Sequence, residues 1–237
     1  MLLKSTKEVI DLKSKLTIAL LSIALTAPAF AQSKFDDRLS ESAEVLRQMA
    51  KPDAIPKYVL DHSVCVLVFP SVRKVGVGIG VTYGRGVLVC RTGLQMNGRW
   101  SAPAMYKLNV GSLGVQLGSS QTDYVLVVES QQGALKILSG KLKLGADATA
   151  VAGPTGAKAV TANDIKVDIL TYSRAKGGLF AGASLGSASM DSDDDANKAL
   201  YGKDIQATQI INDRSTPVPA SGKSLIATLT SLSPKRY

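Results

Sequence analysis

Residues 71–91, SVRKVGVGIGVTYGRGVLVCR, decide the fold, because glycine and β-branched residues alternate along them. Successive side chains of a strand point to opposite faces of a sheet, so this stretch would have one face of bare backbone and one β-branched face. In a helix each glycine would cost about 1 kcal/mol, whereas in a strand it marks a place where another part of the protein packs closely. The stretch is therefore predicted to be a strand.

A β-hairpin is predicted within the same stretch, with a tight turn at Tyr83–Gly86 before a second apolar run. Residues 109–130 repeat the pattern as a glycine-spaced strand, a short polar turn and a second strand. Residues 71–86 also align with residues 173–188 at one constant offset. An internal duplication and a chance match between small-residue strands both explain that alignment.

Helices are predicted at both ends of this β-rich region. Residues 34–50 have apolar side chains at helical spacing, with acids and bases on the remaining positions. Such a helix either packs on the core or lies on a membrane surface, and its acids count against the membrane role. Shorter helices are expected at residues 55–62, 132–139 and 224–232. The predicted fold class is α+β and β-rich, with glycine-rich antiparallel sheets packed as a sandwich or barrel-like core, N-terminal helices and a short C-terminal helix.

The first 31 residues have the layout of a secretory signal peptide. A lysine-bearing lead precedes an apolar run and the small-residue pattern Ala29-Phe30-Ala31, which predicts cleavage after Ala31. An uncleaved membrane anchor is the alternative, although the apolar run is short for a span. The expected organisation is a signal peptide at 1–31, a domain at 32–213, and a proline-containing loop with a C-terminal helix at 214–237. The expected location is the periplasm or cell envelope.

The chain is basic, with a formal net charge of +9 over 237 residues. The leader contributes four lysines and two acids, so its removal leaves the charge positive. This balance favours an anionic partner, such as a lipid surface or nucleic acid. Because an exported protein seldom meets nucleic acid, no nucleic-acid partner is expected and a membrane surface is the better hypothesis.

Two cysteines, Cys65 and Cys90, lie in neighbouring predicted strands. An oxidising compartment would allow a disulfide between them, worth about 3.5 kcal/mol in the chain-entropy model. The alternative is two buried thiols that pack as small hydrophobic side chains.

The sequence offers little for catalysis or metal binding. His62 is the single histidine, and no G-x-S-x-G nucleophile motif is present. A lone histidine without a cysteine cluster makes zinc improbable, and the glycine run lacks the strand-to-helix context of a dinucleotide site. Asp191, Asp193, Asp195 and Asn197 have calcium-loop spacing, but the loop lacks its glycine and its final glutamate. No enzyme activity, cofactor or metal is expected.

Seven short motifs together resemble the SYLF domain family in its bacterial, exported branch. The match covers roughly residues 35–213 and runs in family order. The motifs are Ile55-Pro56, VLVFPSVRKVGVGIGVTYGRGVL, Trp100-Ser101-Ala102-Pro103, GSLGVQLGSSQTDYVLVV, LGADATAVAGPTG, YSRAKGGLFAGASL, and Asn197 with Tyr201-Gly202.

The resemblance implies a non-enzymatic lipid-binding domain. Eukaryotic members bind phosphoinositides and membranes, and some fungal members bind actin. Lipid contact in the family is associated with a basic amphipathic N-terminal helix, whereas the matching helix here is mixed in charge.

The leading hypothesis is a protein that binds anionic phospholipid or a membrane surface through cations flanking the glycine-rich strands. Those residues are Arg73, Lys74, Arg85, Arg174 and Lys176. Each lysine or arginine near an anionic surface is worth about 1 kcal/mol. Ordinary solvated turn residues are the alternative explanation of all five. Two other functions stay open: a module that binds an envelope protein partner, and a carrier of one apolar ligand inside the sheets.

Overall fold

The computed structural model describes residues 29–77, 79–112, 117–140, 142–154, 167–175, 180–182, 185, 188–234 and 236. The chain divides into two compact units, Met1–Lys34 and Phe35–Tyr237. Residues 29–34 are the described part of the first unit, and they form the start of a helix. The contacts reported below belong to the second unit. Lys176 of the predicted site and parts of the aligned stretch 173–188 lie outside the described residues.

The helices lie mainly at the two ends of the chain, as the sequence predicts. In chain order they are α1 (Ala29–Met49), α2 (Lys57–His62), α3 (Gln131–Leu138), α4 (Asp194–Tyr201), α5 (Ala207–Asn212) and α6 (Lys223–Leu232). A short 3₁₀ turn, Ala220–Gly222, leads into α6. In α1, Leu39, Ala43 and Leu46 recur one helical turn apart and are completely buried. This stripe confirms the prediction of a core-packing helix.

The strands of the described chain belong to one sheet, which curls into a half-barrel. They are β1 (Cys65–Val77), β2 (Ile79–Cys90), β3 (Ala104–Ser112), β4 (Leu117–Val128), β5 (Leu142–Lys143), β6 (Ala150–Ala152), β7 (Ile169–Ala175), β8 (Phe180–Gly182) and β9 (Ala188–Ser192). Their order is β5-β9-β3-β2-β1-β4-β7-β6, and β8 pairs with β7. The β6–β7 pair is parallel and the others are antiparallel. The predicted α+β, β-rich fold class is confirmed.

The position of the hairpin turn was predicted wrongly. Tyr83–Gly86 lie inside β2 and pair with β3, and the chain reverses between Val77 and Ile79. Gly84 and Gly86 are needed for close packing, not for a turn. A Cβ atom on Gly84 would lie 2.6 Å from Val72 Cγ2, and one on Gly86 would lie 2.2 Å from the backbone oxygen of Val68. The polar turn expected at residues 121–122 is likewise part of β4.

Both faces of the sheet carry an apolar cluster covered by helices. On one face, here called the α1 face, strand residues pack with α1, α2, α4 and α6. On the other, here called the α3 face, they pack with α3 and α5. Strand β1 alternates between the two, with Cys65 and Leu67 on the α3 face and Val66 and Val68 on the α1 face. The centre of the sheet is therefore buried on both sides, as the continuous apolar run of β1 predicts.

Candidate functional site

A bulge in β1 separates the buried first part of that strand from the part that carries Arg73 and Lys74. Phe69 and Val72 are three positions apart, yet both pack in the cluster on the α3 face. The register against β4 shifts between them, and Ser71 has a positive φ of 50°. The Ser71 backbone nitrogen donates a hydrogen bond of 2.8 Å to Asp123 Oδ1. The extra residue reverses the alternation, so Arg73 points to the α1 face.

Four sheet cations share the α1 face at this polar end. Cross-strand partners lie on one face of a sheet, and Arg73 pairs with both Tyr83 on β2 and Gln121 on β4. Arg85 is two residues beyond Tyr83 and pairs with Lys107 on β3. Asp123 is two residues beyond Gln121 and pairs with Arg174 on β7. Arg73, Arg85, Lys107 and Arg174 therefore lie in neighbouring positions on the same side.

Helix α1 adds Arg38 to this group. Its Nη1 donates to Met105 Sδ at 3.5 Å, which places the guanidinium over β3. Burial lowers the pKa of Arg38, and attraction to Asp193 opposes that effect. We call the five cations the basic face: Arg38, Arg73, Arg85, Lys107 and Arg174.

Two buried carboxylates hold part of the basic face in place. The side chain of Asp193 is 1% exposed, and it lies 3.4 Å from Arg85 Nη1 and 3.1 Å from Lys107 Nζ. Asp123 accepts from Arg174 Nε at 3.1 Å and from Arg174 Nη2 at 2.5 Å. The side chain of Arg174 is 22% exposed and forms an ion pair with Asp123, which neutralises its charge. Arg174 is therefore better placed to support the sheet than to contact a ligand.

The remaining predicted cations differ in how freely they face solvent. Arg73 is exposed, and no ion pair joins it to another described residue. Arg85 is 59% exposed beside Asp193. Lys74 pairs with Thr82 and points to the α3 face, away from the other cations. The structure thus brings Arg73, Arg85 and Arg174 together and separates Lys74 from them.

Sequence reasoning missed Lys107, Arg38 and Asp123 as parts of the site, and it considered Asp193 only as a calcium ligand. The polar positions Lys107 and Asn109, alternating with buried Tyr106 and Leu108, were a usable signal for the exposed side of β3. The partnership of Lys107 with Asp193 had no comparable signal, because it depends on where the chain segment before α4 lies against β3.

The two cysteines lie at the opposite, buried end of the hairpin. Cys65 and Cys90 are direct cross-strand partners, and the structure joins them by a disulfide with Cα atoms 3.9 Å apart. Both belong to the cluster on the α3 face. Of the two alternatives drawn from the sequence, the structure therefore adopts the bridged form.

Other residues that the sequence suggested for catalysis or metal binding have structural roles. His62 Nδ1 lies 2.7 Å from the carbonyl oxygen of Tyr58, within α2. Asn197 Oδ1 accepts from the Met105 backbone nitrogen at 2.7 Å, and Asn197 Nδ2 donates to the Met105 oxygen at 3.3 Å. The four residues with calcium-like spacing thus lie in β9, in the residue before α4 and in α4, where Asn197 holds the start of β3. In the part of the chain that the structure describes, no three potential metal ligands cluster, and no helix is long and apolar enough to cross a membrane.

Comparison with known proteins gives the family. Residues 109–232 match the family model described as Ysc84, "Las17-binding protein actin regulator". Protein YSC84 of Saccharomyces cerevisiae is 29% identical over 203 residues, covering 81% of this chain and 42% of that protein. An SH3 domain-containing protein of Schizosaccharomyces pombe, PJ696.02, is 30% identical over 198 residues, covering 81% and 45% respectively. The human SH3 domain-containing YSC84-like protein 1 is 27% identical over 213 residues, covering 86% of this chain and 60% of that protein.

This chain therefore spans less than half the length of these fungal relatives. The family consists of non-enzymatic binding proteins, which confirms the expectation that the chain is not an enzyme. With the matched region covering more than half of its residues, the chain belongs to the Ysc84 family, whose domain is the SYLF domain.

Proposed function

We propose that this chain is an exported protein whose basic face binds the surface of anionic phospholipid membranes. The observation that supports the proposal most is the position of Arg73, Arg85 and Lys107 on one face at one end of the sheet. Lysine and arginine near such a surface each contribute about 1 kcal/mol, and salt screens the attraction. Three neighbouring cations would together give a measurable, salt-sensitive affinity.

The carboxylates on this face limit how much of its charge reaches a ligand. Asp123 neutralises Arg174, and Asp193 is shared between Arg85 and Lys107. Arg73 therefore has the most available charge. Membrane contact would begin at the exposed ends of these side chains and would not need α1 to leave the core.

Vesicle sedimentation tests the proposal. The protein isolated from the cells that naturally produce it should pellet at low salt with vesicles containing phosphatidylglycerol. It should stay in solution with vesicles of pure phosphatidylcholine. Arg73→Gln should weaken binding about fivefold, the equivalent of one contact of about 1 kcal/mol. Lys74→Gln is the matched control, because it removes the same charge from the opposite face one residue away and should bind as the unmodified chain does.

Three results would contradict this proposal. Equal pelleting with neutral vesicles would rule out electrostatic attraction as the mechanism of binding. Loss of binding in Lys74→Gln but not in Arg73→Gln would place the contact on the α3 face. Failure to bind any vesicle, with the fold intact, would favour the alternative of a protein partner; the family description names Las17 binding and actin regulation. The carrier of an apolar ligand stays a prediction.

Export is a second part of the proposal. Its supports are the signal-peptide layout of residues 1–31 and the Cys65–Cys90 disulfide, a bond typical of oxidising compartments. Cleavage after Ala31 would remove the first three residues of α1 and leave its buried stripe intact. Mass spectrometry of the protein from a periplasmic fraction should find Gln32 as its first residue. An intact N-terminus in the cytoplasmic fraction would contradict export.

A further inference from the structure

A cleft lies near the disulfide end of the hairpin, far along the strands from the basic face. Its volume is about 360 Å³, and it opens between the loop that follows β2 and the segment that follows α5. The loop is closed by a hydrogen bond from the Thr92 backbone nitrogen to the Arg99 oxygen, 2.9 Å. Trp100, 4% exposed, forms part of the cleft wall, and its Nε1 donates to the Ser233 oxygen at 3.1 Å.

Two arginines line this cleft. Arg99 Nη2 donates to the backbone oxygen of Arg214 at 3.2 Å, which ties the two segments together. A Cβ atom on Gly93 would lie 2.9 Å from Arg214 Nη2, so the Arg214 guanidinium lies against the opposite loop. Both side chains therefore reach across the same opening.

Asp213 also lines the cleft and offsets one of the two guanidinium charges, so these three side chains together carry a net charge of +1. Asp213 Oδ1 accepts from the backbone nitrogen of Ser215 at 2.8 Å and from its hydroxyl at 2.7 Å. These bonds lower the pKa of Asp213 and direct the carboxylate into its own turn. Ser215 and Thr216 add polar groups to the lining. An anion with several oxygen atoms would find both guanidinium and neutral polar groups here.

An apolar groove of about 540 Å³ continues along the outer side of α6. Ile226 and Ala227 lie one turn after Lys223 and one turn before Thr230, so they form a stripe along the helix. The opposite side of α6 is buried in the cluster on the α1 face through Leu225 and Leu229. Val218 and Ile226 line both the cleft and the groove, so the two features meet at these residues.

We infer that the cleft and groove together bind a single-chain anionic amphiphile, with a phosphate head between Arg99 and Arg214 and its alkyl chain along α6. The occupant follows from charge complementarity at one end and from the apolar side chains of Val218, Ile226 and Ala227 at the other. Lys223 at the groove also disfavours a cationic amphiphile. This site is independent of the basic face, so either could fail while the other stands.

Tryptophan fluorescence offers a direct readout, because Trp100 is the one tryptophan of the sequence and lines the cleft. Dodecyl phosphate, added below its micelle-forming concentration to the intact chain, should change this fluorescence in a saturable, one-to-one manner. Inorganic phosphate should bind at least about tenfold more weakly, because it buries no alkyl chain. Neutral dodecyl maltoside should give no saturable change.

Two variants separate the head site from the chain site. Arg214→Gln should weaken binding of both phosphate and dodecyl phosphate about tenfold, the typical effect of losing one charge-assisted hydrogen bond. Ala227→Glu, on the exposed side of α6, should weaken dodecyl phosphate and leave inorganic phosphate unchanged. Arg73→Gln serves as the control, since it removes a charge from the basic face and should leave this site unaffected.

The inference would be overturned by any of three results. These are equal responses to dodecyl maltoside and dodecyl phosphate, equal affinities for inorganic and dodecyl phosphate, and unchanged dodecyl phosphate affinity in both Arg214→Gln and Ala227→Glu. Circular dichroism of each variant shows whether it is folded. Because Arg214 and Ala227 are both exposed, neither change is expected to affect folding.

Discussion

Two parts of the β1–β2 hairpin share the same backbone pairing but differ in burial and in charge. At one end Cys65–Val68 and Val87–Cys90 are at most 2% exposed, and apolar side chains cover both faces. Closer to the turn, Arg73, Tyr83 and Arg85 are exposed and form part of a charged surface. One continuous pair of strands therefore provides both the centre of the core and the proposed binding surface.

This difference teaches that folding and binding can be separated along a single strand pair. Changes at the buried end should alter the free energy of unfolding, and changes among the exposed cations should alter binding. The carboxylates Asp123 and Asp193 should affect both stability and binding, because each is buried while its partners reach solvent. The free energies of unfolding of variants along this strand pair therefore show where the boundary between folding and binding residues falls.

Gly86→Ala should have the largest effect, although Gly86 lies only one residue from exposed Arg85. The new methyl group would lie 2.2 Å from the Val68 backbone oxygen and 2.4 Å from the Phe69 ring, so β1 and β2 could not keep their spacing. We expect loss of the cooperative thermal transition. Leu94→Ala, in the exposed loop after β2, is the control and should melt as the unmodified chain does. A normal transition for Gly86→Ala would place the boundary nearer the buried end.

Replacing both cysteines by alanine should have the next largest effect. The 25-residue separation between Cys65 and Cys90 gives a chain-entropy contribution of about 3.5 kcal/mol to the free energy of unfolding. Urea denaturation of the double variant should show a loss of about that size, and vesicle binding should be retained because the basic face is distant. Loss of vesicle binding in a folded double variant would contradict the separation of the two ends.

Asp123→Asn should destabilise the fold by about 2 kcal/mol, since it removes the charge from a buried carboxylate that binds Arg174 and the Ser71 backbone. Asp195→Asn, an exposed change of the same kind on α4, should stay within about 0.5 kcal/mol. Urea denaturation of the two variants measures the difference. Equal stability would mean that Asp123 belongs to the solvated surface rather than to the framework.

Glu129→Gln should have an effect of the opposite sign. Glu129 follows Val128, the partner of Cys65, and burial raises its pKa to about 8 although Arg236 opposes the shift. The unfolded chain releases this proton near pH 4.5, whereas the folded chain keeps it up to about pH 8, so stability falls as pH rises through this window. Glutamine should therefore stabilise the fold at pH 7.5 by at least about 1.4 kcal/mol, one pKa unit.

The control for Glu129→Gln is its own behaviour in acid. Below pH 4.5 both the folded and the unfolded chain hold the proton, so the advantage of the variant should disappear there. Urea denaturation at pH 4 and pH 7.5 gives both values. An advantage that is equal at the two pH values would show that the carboxyl is not kept protonated by burial.

Patterns along the chain predicted much of the fold, because they act over short distances. The buried stripe of α1, the apolar run of β1 and the stripe of α6 each follow from side-chain periodicity. The prediction of a turn at Tyr83–Gly86 was wrong because glycine is favoured both in turns and where strands pack closely. Only the position of Val72 and Phe69 on the neighbouring strand distinguishes the two cases.

The candidate site was less predictable, since it depends on register between distant segments. Arg73 and Arg85 were identified from their place beside the glycines, and strand alternation separates Arg73 from Lys74, but nothing local shows which of these two shares a face with Arg85. That outcome depends on the bulge at Ser71, which in turn depends on Asp123, 52 residues away. Lys107 likewise belongs to the site because of contacts between distant segments: it pairs with Arg85 and forms an ion pair with Asp193.

The bulge at Ser71 also makes the length of this segment matter as much as its composition. Deleting one residue there would act on the sheet as a frameshift acts on a gene: each later side chain of β1 would move to the other face. Val72 would then face the cations and Arg73 the apolar cluster, although every remaining amino acid is unchanged. A single inserted residue, held by one carboxylate, thus sets which surface of the protein carries its charge.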